Sequence, residues 1–328
     1  MRFAFTDEQR QFQRSLRELL ARECPPAEVR AAWTGDSGRS MRRWQALVEV
    51  GVVGLLEPLD WILPLEEAGR AALPEPLLET TAVALPLLAE VKALPEALDH
   101  GAMLTVGLDG ALVADAHVAD LVLLADGDEL HAVAPAKLTL QPAKSVDGAR
   151  RLSRVAWTPS EATLVATECG QALAGAFDRG ALAAAAQLVG LGARLLELTV
   201  EYVKVRKQFG QAVGAFQAVK HQLADALVQL EFARPLVYYA AYSVTQRAPS
   251  RSTDVSMAKA AASDAAGKVA RVALQCHGAI GYSFEHDLHL WMKRAWALQA
   301  AWGDAEHHRA RVAAALLDGE SGPRRISQ

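Results

Sequence analysis

A chain of 328 residues with 51% hydrophobic and 22% charged side chains is long enough to bury a large core, and its composition is ordinary for a folded protein. Its formal net charge of −4, without any Lys/Arg block interleaved with aromatics, argues against a nucleic-acid partner. Three scattered cysteines (Cys24, Cys169, Cys276) give neither a disulfide framework nor metal-ligand spacing, which fits a reducing compartment.

The opening MRFAFTDEQRQFQRSLRELL is charged throughout and lacks the apolar centre of a secretion signal. No run of about 18 uninterrupted apolar residues stands ready to span a bilayer, so the expectation is a cytoplasmic protein with no membrane partner. Thr6-Asp7 followed by Glu8 and Gln9 predicts a helix start, with Phe12, Leu16, Leu19 and Leu20 as its buried stripe. Further helices are predicted over Ser40–Val50, stopped by Gly51, over Leu63–Leu77, closed by Pro74 and Pro76, and over Glu79–Glu90. Near Gly101 the pattern changes to short β-like runs: MLTVGL, DLVLLA, ELHAVA, KLTLQP and RVAWT, ending by Pro159. Asp109-Gly110 and Gly127-Asp128 read as hairpin turns among them. From Ser160 helix returns: one long segment through Leu182, Leu188, Leu191, Leu195 and Leu198 to about Lys207, then Phe216–Gln246, Thr253–Cys276 and a single last helix over Asp287–Leu317.

Two segments in the second half carry the chemistry, Val205–Gly210 (VRKQFG) and Gln275–Tyr282 (QCHGAIGY). Arg206 offers a planar guanidinium that can fork onto phosphate oxygens, and Phe209 a flat apolar face. Gly210, Gly278 and Gly281 let backbone approach a ligand closely. Either segment alone reads equally well as a helix-end arginine or a C-cap glycine. The two together, on long helices about seventy residues apart, favour a dinucleotide ligand.

With the TDEQ start, EEAGRAALPEPLLETT and FQAVKHQLAD, these segments resemble the acyl-CoA dehydrogenase family of flavoproteins. The resemblance implies a mainly α fold with a small central β-domain. The implied division is an N-terminal helical domain (1–100), a reduced β-domain (101–159) and a C-terminal four-helix bundle (160–328). It also implies FAD shared across a subunit interface, with Arg206 on the pyrophosphate, Gln208 and Phe209 lining the cofactor, and Gln217 reaching it. Gln275 and the Gly278–Ala279 backbone would hold the adenosine end; Ala279 stands where many members carry a second glycine.

The same resemblance shows what is missing. No counterpart of the segment that holds the flavin ring (TEPxxGSD, then Trp-x-Ser/Thr) lies between Gly101 and Pro159, Trp157-Thr158 coming nearest. The two positions at which the family carries its catalytic glutamate hold Trp302 and Gly180, and Ala181 replaces a substrate-side arginine. Neither Trp302 nor Gly180 can take a proton from an acyl α-carbon. Asp304, Glu306 and Asp178 lie nearby, but a shift of two residues on a helix turns a side chain by about 200°, so they read as solvated or capping carboxylates. No catalytic residue is therefore expected in this chain.

The implied function is the FAD-supporting subunit of a heteromeric acyl-CoA dehydrogenase, with two short and two long chains and an inactive short chain. A longer partner would supply the glutamate base and most of the acyl-CoA site, for a bulky, steroid-derived acyl group in lipid metabolism. An electron-transferring flavoprotein would be the acceptor. The alternatives are a homomeric flavoenzyme of the same fold, such as a flavin-dependent monooxygenase, and a non-enzymatic helical scaffold.

Other features read as structure. Gly190-Leu191-Gly192 lies mid-helix without a preceding strand and is expected to be a packing contact. His286, His289 and Glu306-His307-His308 read as surface charge, and no metal site is expected. His221 reads as a packed or hydrogen-bonded helix residue, Cys276 as an inert thiol, and some of Trp291, Trp296 and Trp302 as core or interface fillers.

Overall fold

The computed structural model describes residues 4–94, 101–108 and 112–317. The chain divides into two compact units, one made of residues up to Leu65 with Leu73–Ala183, the other of Glu66–Ala72 with Ala184 onward.

The first unit opens with α1 (Asp7–Glu23), α2 (Pro26–Thr34) and α3 (Met41–Glu49), followed by most of α4 (Pro58–Arg70). Thr6 and Gln9 close a reciprocal capping box on α1, which satisfies two of the helix's orphan backbone donors. The helix expected over Leu63–Leu77 is displaced: α4 starts at Pro58, tolerates Pro64 and ends at Arg70, well before the two prolines credited with stopping it. A π-helical stretch, Leu78–Ala84, runs into α5 (Leu85–Glu90). Thr80 and Thr81 are fully buried there, and their hydroxyls donate to the carbonyls of Leu104 (2.8 Å) and Val53 (3.1 Å).

A four-stranded sheet has the order β1 (Leu104–Gly107), β3 (Leu121–Asp126), β4 (Glu129–Val133), β7 (Leu164–Ala166). β1 and β3 are parallel and the other pairs antiparallel. Gly127, at φ 59°, makes the β3–β4 turn as expected; Asp109-Gly110 lies outside the described residues. A second, antiparallel sheet orders β2 (Val113–Ala114), β6 (Leu152–Ala156) and β5 (Thr139–Ala143). Val113, Val122, Leu124 and Val133 form the sheet core, and Trp157 packs against it with its ring edge-on to His131 at 4.9 Å. Its indole is thus half-buried against that core.

The second unit is helical: the rest of α6 (Gly170–Val205), α7 (Gln217–Thr245), α8 (Arg251–His277), α9 (Leu288–Ala300) and α10 (Ala305–Leu317). α6 passes the length and hydropathy test for a membrane span, but 78% of that window is buried inside the protein, as a core helix requires. The tail of α4 packs against it with almost no gap. A Cβ added at Gly190 would lie 1.9 Å from the Glu66 carbonyl oxygen, and one at Gly69 2.1 Å from that of Gln187. Gly190 is therefore a packing glycine, as read. Beside this contact the buried Glu66 carboxylate accepts from Arg234 and from the Tyr238 hydroxyl (2.6 Å).

The single last helix expected over Asp287–Leu317 is two. Trp302 and Gly303 both adopt positive φ (56° and 82°), and Asp304 accepts the His307 amide (2.8 Å) to start α10 afresh. Two of the histidines expected at the surface are buried: His289 at 6% exposure and His308 at 0%. His221, expected to be packed, is exposed.

Candidate cofactor-binding site

The chain leaves α6 through a short hairpin, β8 (Lys207–Gln208) and β9 (Gln211–Ala212), whose tip is Phe209-Gly210. Both tip residues have positive φ, 52° and 79°. A two-residue hairpin favours that geometry, and glycine suits its second position, but phenylalanine at the first is strained. Its ring is 91% exposed and meets Phe216 edge-on at 6.2 Å. A large aromatic held outward on strained backbone is the mark of a contact made with something else.

The Arg206 backbone is fixed on both sides, its N–H donating to Tyr202 O (2.9 Å) and its carbonyl accepting from Val213 N–H (2.7 Å). Its guanidinium is exposed, as are the amides of Gln217, the first residue of α7, and Gln275. None of these three side chains forms a hydrogen bond or ion pair among the described residues. Gln208 spends one N–H on the Lys207 carbonyl (2.8 Å).

α8 ends at Gly278, whose φ of 61° and ψ of −140° belong to a region that side chains other than glycine's hardly enter. A Cβ there would meet nothing within 4 Å, so this backbone faces open space, and Ala279 beside it is exposed. Gly281 differs: a Cβ would press on Leu274, 3.0 Å from Cδ1 and 3.2 Å from the carbonyl oxygen. It is a packing glycine.

Tyr202 joins the two segments. Its ring stacks on His277 (centroids 4.3 Å apart, planes at 17°), and its hydroxyl donates to the His277 carbonyl at 3.4 Å. His286 sits edge-on to the His277 ring at 5.0 Å. Arg206 follows Tyr202 by one helical turn and Gln275 precedes His277 by two residues, so the fold brings both segments together. Sequence reasoning missed Tyr202, because His277 lies 75 residues further on and meets it only through tertiary stacking.

The base positions look different. Gly180 and Ala181 are buried inside α6, as is Asp178. Trp302 sits in the α9–α10 turn, held by two fully buried side chains. Lys259 Nζ donates to the carbonyls of Gln299 (3.0 Å) and Gly303 (2.8 Å), and His308 Nε2 to that of Trp302 (2.8 Å). His308 Nδ1 faces the Ser256 hydroxyl at 3.2 Å, and burial pushes its pKa down to about 4. Asp304 is exposed, and hydrogen bonds from the His307 and Glu306 backbone hold its carboxyl below the usual range. It is a helix cap rather than a base. Glu306 is exposed in the first turn of α10.

A family model described as acyl-CoA dehydrogenase, C-terminal domain, matches residues 170–317. Over 304 residues, 88% of this chain and 91% of the relative, the sequence is 35% identical to acyl-CoA dehydrogenase IpdE2 of Mycobacterium tuberculosis. The chain belongs to the acyl-CoA dehydrogenase family. Two solved structures share its fold. A chain of the ChsE4–ChsE5 complex from Mycobacterium tuberculosis superposes with a TM-score of 0.87 at 21% identity, over 96% of this chain and 99% of that one. A chain of the Tcur3481–Tcur3483 steroid acyl-CoA dehydrogenase gives 0.81 at 22%, over 93% and 96%. The expected mainly helical acyl-CoA dehydrogenase fold with small β-sheets is thus observed.

Acyl-CoA dehydrogenases are flavoprotein oxidoreductases, and FAD is the cofactor the family implies. The residues present fit its diphosphate and adenosine: an unengaged guanidinium, two unengaged amides, an exposed aromatic face and open glycine backbone. Such a set can bind and orient a dinucleotide through charge-assisted and amide hydrogen bonds. It holds no group that takes a proton.

Proposed function

We propose that this chain is the FAD-supporting subunit of a heteromeric acyl-CoA dehydrogenase, built from two such chains and two longer partners. The observation that carries this reading is one contrast. The Arg206 hairpin and the Gln275–Ala279 turn present unengaged ligand-type groups on one surface, while the base positions hold Trp302 and buried Gly180. Arg206 would fork onto the pyrophosphate, Gln208 and Phe209 would line the cofactor, Gln217 would reach it, and Gln275 with the Gly278–Ala279 backbone would fix its adenosine end. Bound FAD supplies hydride acceptance, and the partner supplies the glutamate that takes the α-proton. This chain then binds and orients FAD without moving a proton. In this reading the reduced β-domain, expected over 101–159 between helical 1–100 and helical 160–328, leaves the flavin ring to the partner, since its Trp157 packs against its own core.

Two relatives support the assembly. One structure of this fold is a ChsE4–ChsE5 complex, and another is named a steroid acyl-CoA dehydrogenase with two differently named chains. We extend from the second a bulky, steroid-derived acyl-CoA as substrate, and from the family resemblance an electron-transferring flavoprotein as acceptor and the cytoplasm as location. The test is purification through a tag on this chain from its own host. The expected product contains a longer family member with a glutamate base and one FAD per pair of unlike chains. An active homomer carrying one FAD on every chain would defeat the reading.

A further inference from the structure

The reading above names the groups that touch the dinucleotide but not what sets the distance between them. Arg206 and Phe209 ride on the end of α6, and Gln275, Gly278 and Ala279 on the end of α8. A dinucleotide gripped at two points needs that spacing fixed beforehand, because every freedom left in the site is lost on binding.

We propose that Tyr202 and His277 are positioning residues for the FAD half-site: a stacked, hydrogen-bonded clamp that locks the Arg206 hairpin to the Gln275–Ala279 turn. The proposal rests on the FAD-supporting role above. Three features make the pair a clamp rather than incidental packing. The rings are nearly parallel at 4.3 Å, and the Tyr202 hydroxyl donates to the last carbonyl of α8, immediately before Gly278 turns into its glycine conformation. His277 is 4% exposed, and its Nδ1–H donates to the Ala273 carbonyl at 2.8 Å, which fixes both tautomer and ring plane. Its Nε2 is buried without a hydrogen-bond partner. Tyr202 covers one face of the ring and His286 abuts it edge-on, its own Nδ1 accepting from the Leu288 amide at 3.1 Å. The site thus holds a neutral imidazole, against which a stacked phenol has one seat.

The clamp also predicts a dependence on pH. Of the titratable side chains among the described residues, Tyr202 from α6 and His286 from the following loop face the His277 ring. Burial, with a smaller contribution from His286, holds its pKa below the usual value. A proton on Nε2 would find no acceptor, so acidification must open the clamp.

The experiment measures FAD dissociation from the assembly purified through this chain, by flavin fluorescence. It compares the unmodified protein with Tyr202→Leu, Tyr202→Phe, His277→Phe and Arg206→Ala, each with a melting curve to show that it folds. Tyr202→Leu is expected to weaken FAD by about tenfold and Tyr202→Phe, which keeps the stack, by no more than about threefold. The unmodified assembly should lose FAD affinity as pH falls below about 6.5, and His277→Phe should lose less over the same range. If Arg206→Ala releases FAD while Tyr202→Leu and His277→Phe match the unmodified protein at every pH, the clamp is wrong and the half-site stands. If Arg206→Ala also leaves FAD in place, the half-site itself is wrong and the clamp falls with it. Should Tyr202→Leu not fold, the Tyr202→Phe and His277→Phe pH profiles decide alone.

Discussion

Arg206 and His308 are opposite kinds of residue, one exposed and unengaged, the other sealed and fully bonded, and they fail in opposite ways when changed. Truncating the exposed Arg206 removes no side-chain hydrogen bond or ion pair among the described residues, so Arg206→Ala should leave the melting temperature of the chain within error. In the FAD-bearing assembly the same change should cost flavin occupancy, because a charge-assisted fork onto a diphosphate is lost. Absorbance per protein and a melting curve, taken on one preparation, separate the two effects. From sequence, His308 reads as surface charge, because adjacent residues of Glu306-His307-His308 on a helix point to different faces and no ligand cluster accompanies them. The fold instead turns it inward onto the Trp302 carbonyl and Ser256. Its ring takes a proton near pH 6.5 in the unfolded chain but not until about pH 4 in the fold. Between those values the unfolded state binds more protons, so stability is whole above pH 6.5 and falls as pH drops toward 4. The size is about 3 kcal/mol for this group. His308→Gln, whose amide can still donate to Trp302, should flatten this part of a stability–pH curve measured by denaturant melts. An unchanged slope would place the titration elsewhere.

Element-level order was legible in the sequence wherever periodicity ran unbroken, and it slipped where a single backbone conformation decided the outcome. The Ala-rich stripes placed α7, α8 and the end of α6 within a few residues, and the alternating runs placed β1, β3, β4 and β5. Helix does not return at Ser160 as expected, because β7 (Leu164–Ala166) joins the sheet first and α6 begins only at Gly170. The α9–α10 break escaped because the apolar pattern continues through WALQAAWGDAEHH; the interruption is made by positive φ at Trp302 and Gly303. Gly303-Asp304, a C-terminal glycine followed by an N-cap, was the signal to read. β7 and α2 are short, and nothing in their composition announces them. Of the candidate site, the two segments could be read from their residue types, but the joint between them could not, since Tyr202 and His277 meet through tertiary stacking. Gly190 was correctly read as a packing glycine, and the structure sharpens the reading into a number. A methyl group there would sit 1.9 Å from the Glu66 carbonyl oxygen, which belongs to helix backbone and cannot rotate away. Gly190→Ala must push α6 and the tail of α4 apart, at a cost of about 3 kcal/mol or more. The change should lower the denaturant midpoint markedly, whereas Gly278→Ala, where a Cβ meets no atom within 4 Å, should cost only its backbone strain, roughly 1–3 kcal/mol. Equal losses at the two positions would contradict the close approach of the helices.

At the scale of the whole molecule, the proposed division of labour has a thermodynamic consequence that neither residue nor element can show. A cofactor gripped by two chains at once couples their association to its own binding, and the coupling is reciprocal by necessity. If Arg206, Gln217 and Gln275 of this chain contribute to FAD affinity, FAD must raise the affinity of this chain for its partner by the same factor. That factor can be measured from either side. Titrating the partner with this chain, with and without saturating FAD, should give dissociation constants that differ by about tenfold or more, since each 1.4 kcal/mol of shared contact is a factor of ten. FAD should also raise the melting temperature of the mixture more than that of either chain alone, as ligand linkage requires. Arg206→Ala should shrink the FAD effect on association without changing the FAD-free dissociation constant, because Arg206 then has no ligand to hold. Association constants that ignore FAD altogether would mean that the flavin sits wholly within one chain, and that the exposed hairpin and the α8 turn serve some other contact.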